Sequence, residues 1–121
     1  MHEFSICESI VKAALDEINS RGIKGRLVAV RVVAGEMHNI VPDCLTLAYE
    51  ALAKGTAAEG ARLDVRTVPV SVECRRCGRQ DGIKMPFFRC RHCGSVDVDV
   101  RAGRELYLEN LEIEDNDESE H

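Results

Sequence analysis

Four of the chain's six cysteines form two short pairs, Cys74-Arg75-Arg76-Cys77 and Cys90-Arg91-His92-Cys93. Each pair can turn two thiolates toward one ion, and the 12 residues between the pairs let the second turn face the first. Four soft sulfur donors on two short loops suit tetrahedral Zn(II). Two disulfides are the other use of the same residues. The sequence opens with no hydrophobic signal segment, and Cys7 and Cys44 lie in helix-like sequence, so a reducing, cytoplasmic setting is expected instead. A closed shell of four thiolates fixes a fold element and leaves no open position for a reacting water.

A second set of donors stands at the start, Met1-His2-Glu3. The bulky His2 is expected to keep the initiator methionine in place. The α-amine of Met1, the His2 amide nitrogen and the His2 imidazole can then close adjoining chelate rings, with the Glu3 amide completing a planar set. Such nitrogen donors suit Ni(II) or Cu(II), and protons compete for every one of them. Glu3 reads as a carboxylate ligand, a partner of one, or a favourable charge near a helix start. From the residues alone the plainer reading of His2, a loose terminal side chain, is favoured.

The elements that position these groups follow from periodicity. Ser5 followed by Glu8 reads as a capping box, and Cys7, Ile10, Val11, Ala14, Leu15 and Ile18 recur with helical spacing up to Gly22. Arg26 to Ala34 is valine-rich on both faces, as a central strand covered by helices would be. Pro42 suits a first helical turn, with Leu45, Ala48, Tyr49 and Leu52 as a buried stripe and Gly55 as the stop. Arg62 to Val68 alternates as a half-exposed strand ended by Pro69. The run Gly103 to Ile113 reads as a further strand whose register shifts near Asn110. The expected fold class is α+β: a small three-stranded sheet packed by two helices, with an inserted four-cysteine zinc-ribbon module. The expected division is a domain at 1–69 completed by strand 104–114, a zinc module at 70–103, and an acidic tail at 115–121.

Composition narrows the function further. A chain of 121 residues with 45% apolar content supports one small core and a metal-held module. No stretch approaches the ~20 apolar residues of a membrane span. The net charge of −5 and the absence of Trp argue against a nucleic-acid surface. Ser71 to Arg104 does carry eight Arg or Lys against four Asp or Glu, but four thiolates around a dication halve that excess. No serine–histidine–acid set or phosphate loop is present, so the chain is not expected to be an enzyme. A zinc ribbon that binds nucleic acid is the alternative reading.

The opening Met1-His2-Glu3-Phe4-Ser5-Ile6-Cys7-Glu8-Ser9-Ile10 resembles that of the HypA/HybF family of hydrogenase nickel-incorporation proteins. The similarity runs on through Val33-Ala34-Gly35-Glu36, Val41-Pro42, Tyr49-Glu50, Gly55-Thr56 and Glu59-Gly60-Ala61. It continues over both cysteine pairs, Cys93-Gly94-Ser95 and Gly103-Arg104-Glu105-Leu106, so it covers all but the acidic tail. The resemblance implies a nickel metallochaperone acting with a HypB-like GTPase to supply the large subunit of [NiFe]-hydrogenase and, in some members, urease. It implies His2 as primary nickel ligand, with the Met1 amine and the His2 and Glu3 amides as further donors. Glu3 matches a position implicated in coupling to the GTPase. Cys74, Cys77, Cys90 and Cys93 match the zinc ligands. Whether the chain is a monomer or a homodimer is left open.

Other polar candidates have plainer roles. His38 stands where many relatives carry Ser and reads as an exposed loop residue, with Met37 as packing or loop surface. His92 reads as an exposed knuckle residue, with a role beside the metal as the alternative. Cys7 and Cys44 read as core thiols. His121 alone among flexible carboxylates defines no site. Arg75, Arg76, Arg89 and Arg91 read equally as solvated charges and as contacts for an acidic partner.

Overall fold

The structure is a computed structural model, and it describes residues 2–114, with only the backbone of His2. The elements follow in the order α1 (His2–Arg21), β1 (Arg26–Gly35), a 3-10 turn (Glu36–His38), α2 (Pro42–Ala53), β2 (Arg62–Val68), β3 (Ser71–Cys74), β4 (Gln80–Gly82), β5 (Val98–Ala102) and β6 (Leu106–Glu114). The α+β reading holds, with two helices, small sheets and the four cysteines drawn together. The chain separates into two compact units. One holds residues 2–32, 40–65 and 107–114, and the other holds 33–39 and 66–106.

The first unit is built on the three-stranded sheet β2-β1-β6. Ile6, Cys7, Ile10, Val11 and Ala14 of α1 share a buried cluster with Leu27, Val30 and Val32 of β1 and Leu45, Tyr49 and Ala53 of α2. The i, i+3, i+4 spacing puts these α1 side chains on one stripe. Leu108, Leu111 and Ile113 of β6 all pack against that cluster. Strand side chains alternate faces, so an even residue and two odd ones on one face require the shift near Asn110 that the sequence suggests. Away from the cluster, Arg31 bonds Asn110 Oδ1 at 3.2 Å and Glu112 Oε1 at 2.6 Å, and pairs with Asp64 at 3.6 Å. One central-strand cation thus ties both neighbouring strands.

Two helix readings change. α1 begins at His2, so Ser5 is a helical residue and no capping box forms with Glu8. Tertiary bonds extend the helix past that signal. Glu3 Oε2 accepts the Val41 N–H at 3.1 Å, and the buried Cys7 Sγ donates to the Leu45 carbonyl at 3.2 Å. Glu3 and Cys7 lie one turn apart, as do Val41 and Leu45, so the two helix starts lie side by side and run in the same sense. Cys7 is the core thiol expected, but Cys44, in the first turn of α2, is exposed.

The second unit carries an antiparallel sheet that the sequence pattern did not reveal, ordered β4-β3-β5. Val72 lies opposite Asp81 on one side and Val100 on the other. In the same unit, Gly35 N–H donates to the Glu105 carbonyl at 2.6 Å and Met37 N–H to the Gly103 carbonyl at 2.9 Å. Gly35 ends β1 where a Cβ would fall 2.0 Å from the Gly103 oxygen, so no side chain fits.

Two consequences can be measured. Gly35→Ala forces main chain against main chain and should cost about 3 kcal/mol or more, a drop in Tm on the order of 10 °C by calorimetry. Burial, reinforced by Glu3, pushes the Cys7 thiol up to about 11. Iodoacetamide at pH 8 should therefore modify Cys44 and spare Cys7 until the chain unfolds, as read by mass spectrometry of digests.

Candidate metal centre

Each cysteine pair folds by the same local rule. After Cys74 the chain turns so that the N–H groups of Arg76 and Cys77 point at Cys74 Sγ, at 3.3 and 3.4 Å. After Cys90 the N–H groups of His92 and Cys93 do the same at 3.3 and 3.4 Å. The turns close identically, with Gly78 N–H on the Cys74 carbonyl at 2.9 Å and Gly94 N–H on the Cys90 carbonyl at 3.0 Å. Gly78 and Gly94 take φ of 78° and 77°, a left-handed conformation that costs glycine little.

The two turns meet sulfur to sulfur. Cys74 Sγ lies 3.6 Å from Cys93 Sγ, and Cys77 Sγ lies 3.6 Å from Cys90 Sγ. All four sulfurs lie within 4.8 Å of one another. With Zn–S bonds of ~2.3 Å, a tetrahedron places its sulfurs about 3.8 Å apart, so the four fit one such ion. The N–H donors favour thiolate and would balance part of its charge when a metal is bound. They hold Cys90 down at about 6, through the Cys93 and His92 N–H groups, and lower Cys74 through those of Cys77 and Arg76. Cys93 moves the other way: the Ser95 N–H lowers it, but the Cys74 thiol and loss of water carry it up to about 11.

The neighbours have definite partners. Arg75 pairs with Asp99 and bonds Asp97 Oδ1 at 3.3 Å, which commits this arginine to its own unit. His92 lies between Arg79, 3.3 Å from Nδ1, and Asp81, 3.2 Å from Nε2. Arginine only donates, so Nδ1 accepts and the Nε2–H points at the carboxylate. Arg79 and Asp81 went unnoticed in the sequence; their one signal was the pairing of a cation and an acid in the insert before the second knuckle. His38 sits 3.0 Å from the Arg104 carbonyl, a main-chain tie, and among the described residues it joins no metal cluster.

At the other candidate site α1 is helical from His2, so the His2 and Glu3 amides belong to its first turn, where no intrahelical acceptor exists. The Glu3 carboxylate is engaged by Val41, while Met1, the His2 imidazole and His121 lie outside the described side chains. Among the described residues no helix is long and apolar enough to cross a membrane.

These features define a small metal-handling protein whose four-cysteine cluster fits a structural metal site. The profile of the family described as "Hydrogenase/urease nickel incorporation, metallochaperone, hypA" matches residues 1–113. The chain belongs to this HypA family of nickel metallochaperones, which are not enzymes. It is 38% identical over 115 residues to the hydrogenase maturation factor HypA of Geobacter sulfurreducens, covering 94% of this chain and 100% of the relative. It is 35% identical over 119 residues to that of Lawsonia intracellularis, covering 94% and 100%. The solution structure of the nickel metallochaperone HypA from Helicobacter pylori shares the fold, with a TM-score of 0.62 at 23% identity over 92% of this chain and 96% of that one.

Metal and protons compete for the same sulfurs, and the raised Cys77 and Cys93 thiols are two that keep their protons near neutral pH. Metal binding should then release at least two protons, and apparent zinc affinity should fall at least ~100-fold per pH unit on acidification around pH 7. Titration against a chromophoric chelator at a series of pH values measures that slope.

Proposed function

We propose that the chain carries Ni(II) at its N-terminus, on the Met1 amine, the His2 and Glu3 amides and the His2 imidazole. It passes the ion, with a HypB-like GTPase, to the large subunit of [NiFe]-hydrogenase. Zn(II) on Cys74, Cys77, Cys90 and Cys93 is resident and holds the knuckles together. Residues 1–69 with strand 104–114 serve the cargo, 70–103 serve the zinc, and the work is cytoplasmic. Urease maturation proteins are a further destination for the same cargo.

The observation that carries this reading is the placement of the His2 and Glu3 amides in the first turn of α1. Elsewhere in a helix, replacing an amide proton by a metal sacrifices a backbone hydrogen bond. In the first turn nothing intrahelical is lost. A chain end is also accessible, as a donor that must surrender its ion requires. The nucleic-acid reading gains nothing from the structure, since Arg75 is spent on Asp97 and Asp99.

Isothermal titration with nickel, alongside zinc content by elemental analysis, tests the assignment. His2→Ala, and a variant extended by Gly-Ser before Met1, should each lose specific nickel binding while keeping zinc and the thermal transition. Undiminished nickel affinity in His2→Ala would remove the terminal site from consideration.

A further inference from the structure

We infer that Glu3 is a positioning residue: its carboxylate, bonded to the Val41 N–H at the head of α2, holds the first turn of α1 in the shape that receives nickel. The inference rests on the terminal site proposed above, and it assigns the Glu3 side chain to the protein and not to the metal.

The argument begins with what α2 lacks. Val41 is its N-cap and offers no side-chain cap, and Pro42 follows as the first helical residue. A helix of this kind commonly satisfies its N-cap N–H with a Glu or Gln at the third helical position reaching back. Here that position is Cys44, a poor acceptor on a short side chain. The Val41 carbonyl is already committed to the Leu45 N–H at 3.0 Å, and the Val41 N–H goes to Glu3 Oε2 at 3.1 Å. Glu3 therefore supplies from the neighbouring helix what α2 cannot supply for itself.

The same bond acts on α1. Its first turn has no upstream acceptors and would otherwise fray. The next tie inward, Cys7 to the Leu45 carbonyl, lies one full turn further on. Without the Glu3 bond, the first turn would lose its tie to α2 ahead of the buried Ile6 and Cys7. With it, the backbone that carries the His2 and Glu3 amides is tethered at its second described residue. A carboxylate there also meets the positive ends of two helices that start side by side.

The test separates the hydrogen bond from the charge. Glu3→Gln keeps an acceptor oxygen on a side chain of the same length, and Glu3→Ala removes it. In nickel-free protein, the Val41 amide proton of Glu3→Ala should exchange with solvent about tenfold faster than wild type, and that of Glu3→Gln should stay close to wild type. Nickel affinity should fall about tenfold in Glu3→Ala and stay within about fivefold in Glu3→Gln, the latitude left for the lost charge. Zinc content should not change in either. Unchanged Val41 exchange in Glu3→Ala overturns the tether, and nickel binding as weak in Glu3→Gln as in Glu3→Ala overturns the positioning role in favour of direct carboxylate ligation. Nickel affinity unmoved by His2→Ala brings down the terminal site instead, and the Val41 measurement still decides the tether.

Discussion

The second unit depends on four sulfur atoms meeting within a few ångströms of one another. Its strands are four, three and five residues long, well short of what a sheet needs to stand on side-chain burial alone. Two of them lead into or out of a knuckle, since β3 ends on Cys74 and β4 begins three residues after Cys77. The register of the sheet and the position of the sulfurs are therefore one constraint. Ion pairs reinforce it from outside: Arg75 with Asp97 and Asp99, Arg101 with Glu73. These pairs are half-exposed and each contributes little. Their worth lies in aligning short strands around the four sulfurs.

The first unit solves a different problem, holding the first turn of α1 in place ahead of its apolar contacts. Hydrophobic packing of α1 starts only at Ile6. Ahead of that residue, Glu3 ties the helix to the head of α2 through its bond from the Val41 N–H. The parallel placement of α1 and α2 makes this economical, because both helices begin at the same end. One carboxylate can then serve both. An antiparallel pair would have set the start of α1 beside carbonyl groups, where a carboxylate is unwelcome.

How much of this was legible beforehand depended on the length of each pattern. Arg62–Val68 was readable to the residue, because alternation and Pro69 agree. The parity change that brings Leu108, Leu111 and Ile113 to one face was visible as a slip in spacing near Asn110. The start of α1 was misread because Ser5 and Glu8 are a local signal, while the bonds that extend the helix run 38 residues down the chain. Cys44 was misread because helical spacing marks a face without saying how far along it the cover extends. β4, with the sequence Gln80-Asp81-Gly82, contains no strand former at all, and only its pairing with Ser71 to Glu73 makes it a strand. The cysteines announced themselves through spacing, yet the N–H groups aimed at Cys74 and Cys90 follow from turn geometry that four letters do not spell.

A protein that carries one transition ion while housing another must keep the two from exchanging places. Affinity order among divalent ions does not achieve this, since nickel and zinc lie close together in it. Donor chemistry and access do. Four thiolates form a soft, saturated shell, and an incoming ion must first displace a sulfur held by its own backbone N–H bonds. Nitrogen donors at a chain end are harder, open on one side, and suited to the planar geometry that d8 nickel accepts and zinc does not favour. If the terminus carries the cargo as proposed, the two sites differ in every property that governs exchange, and the closed knuckles are what allow the open end to be labile.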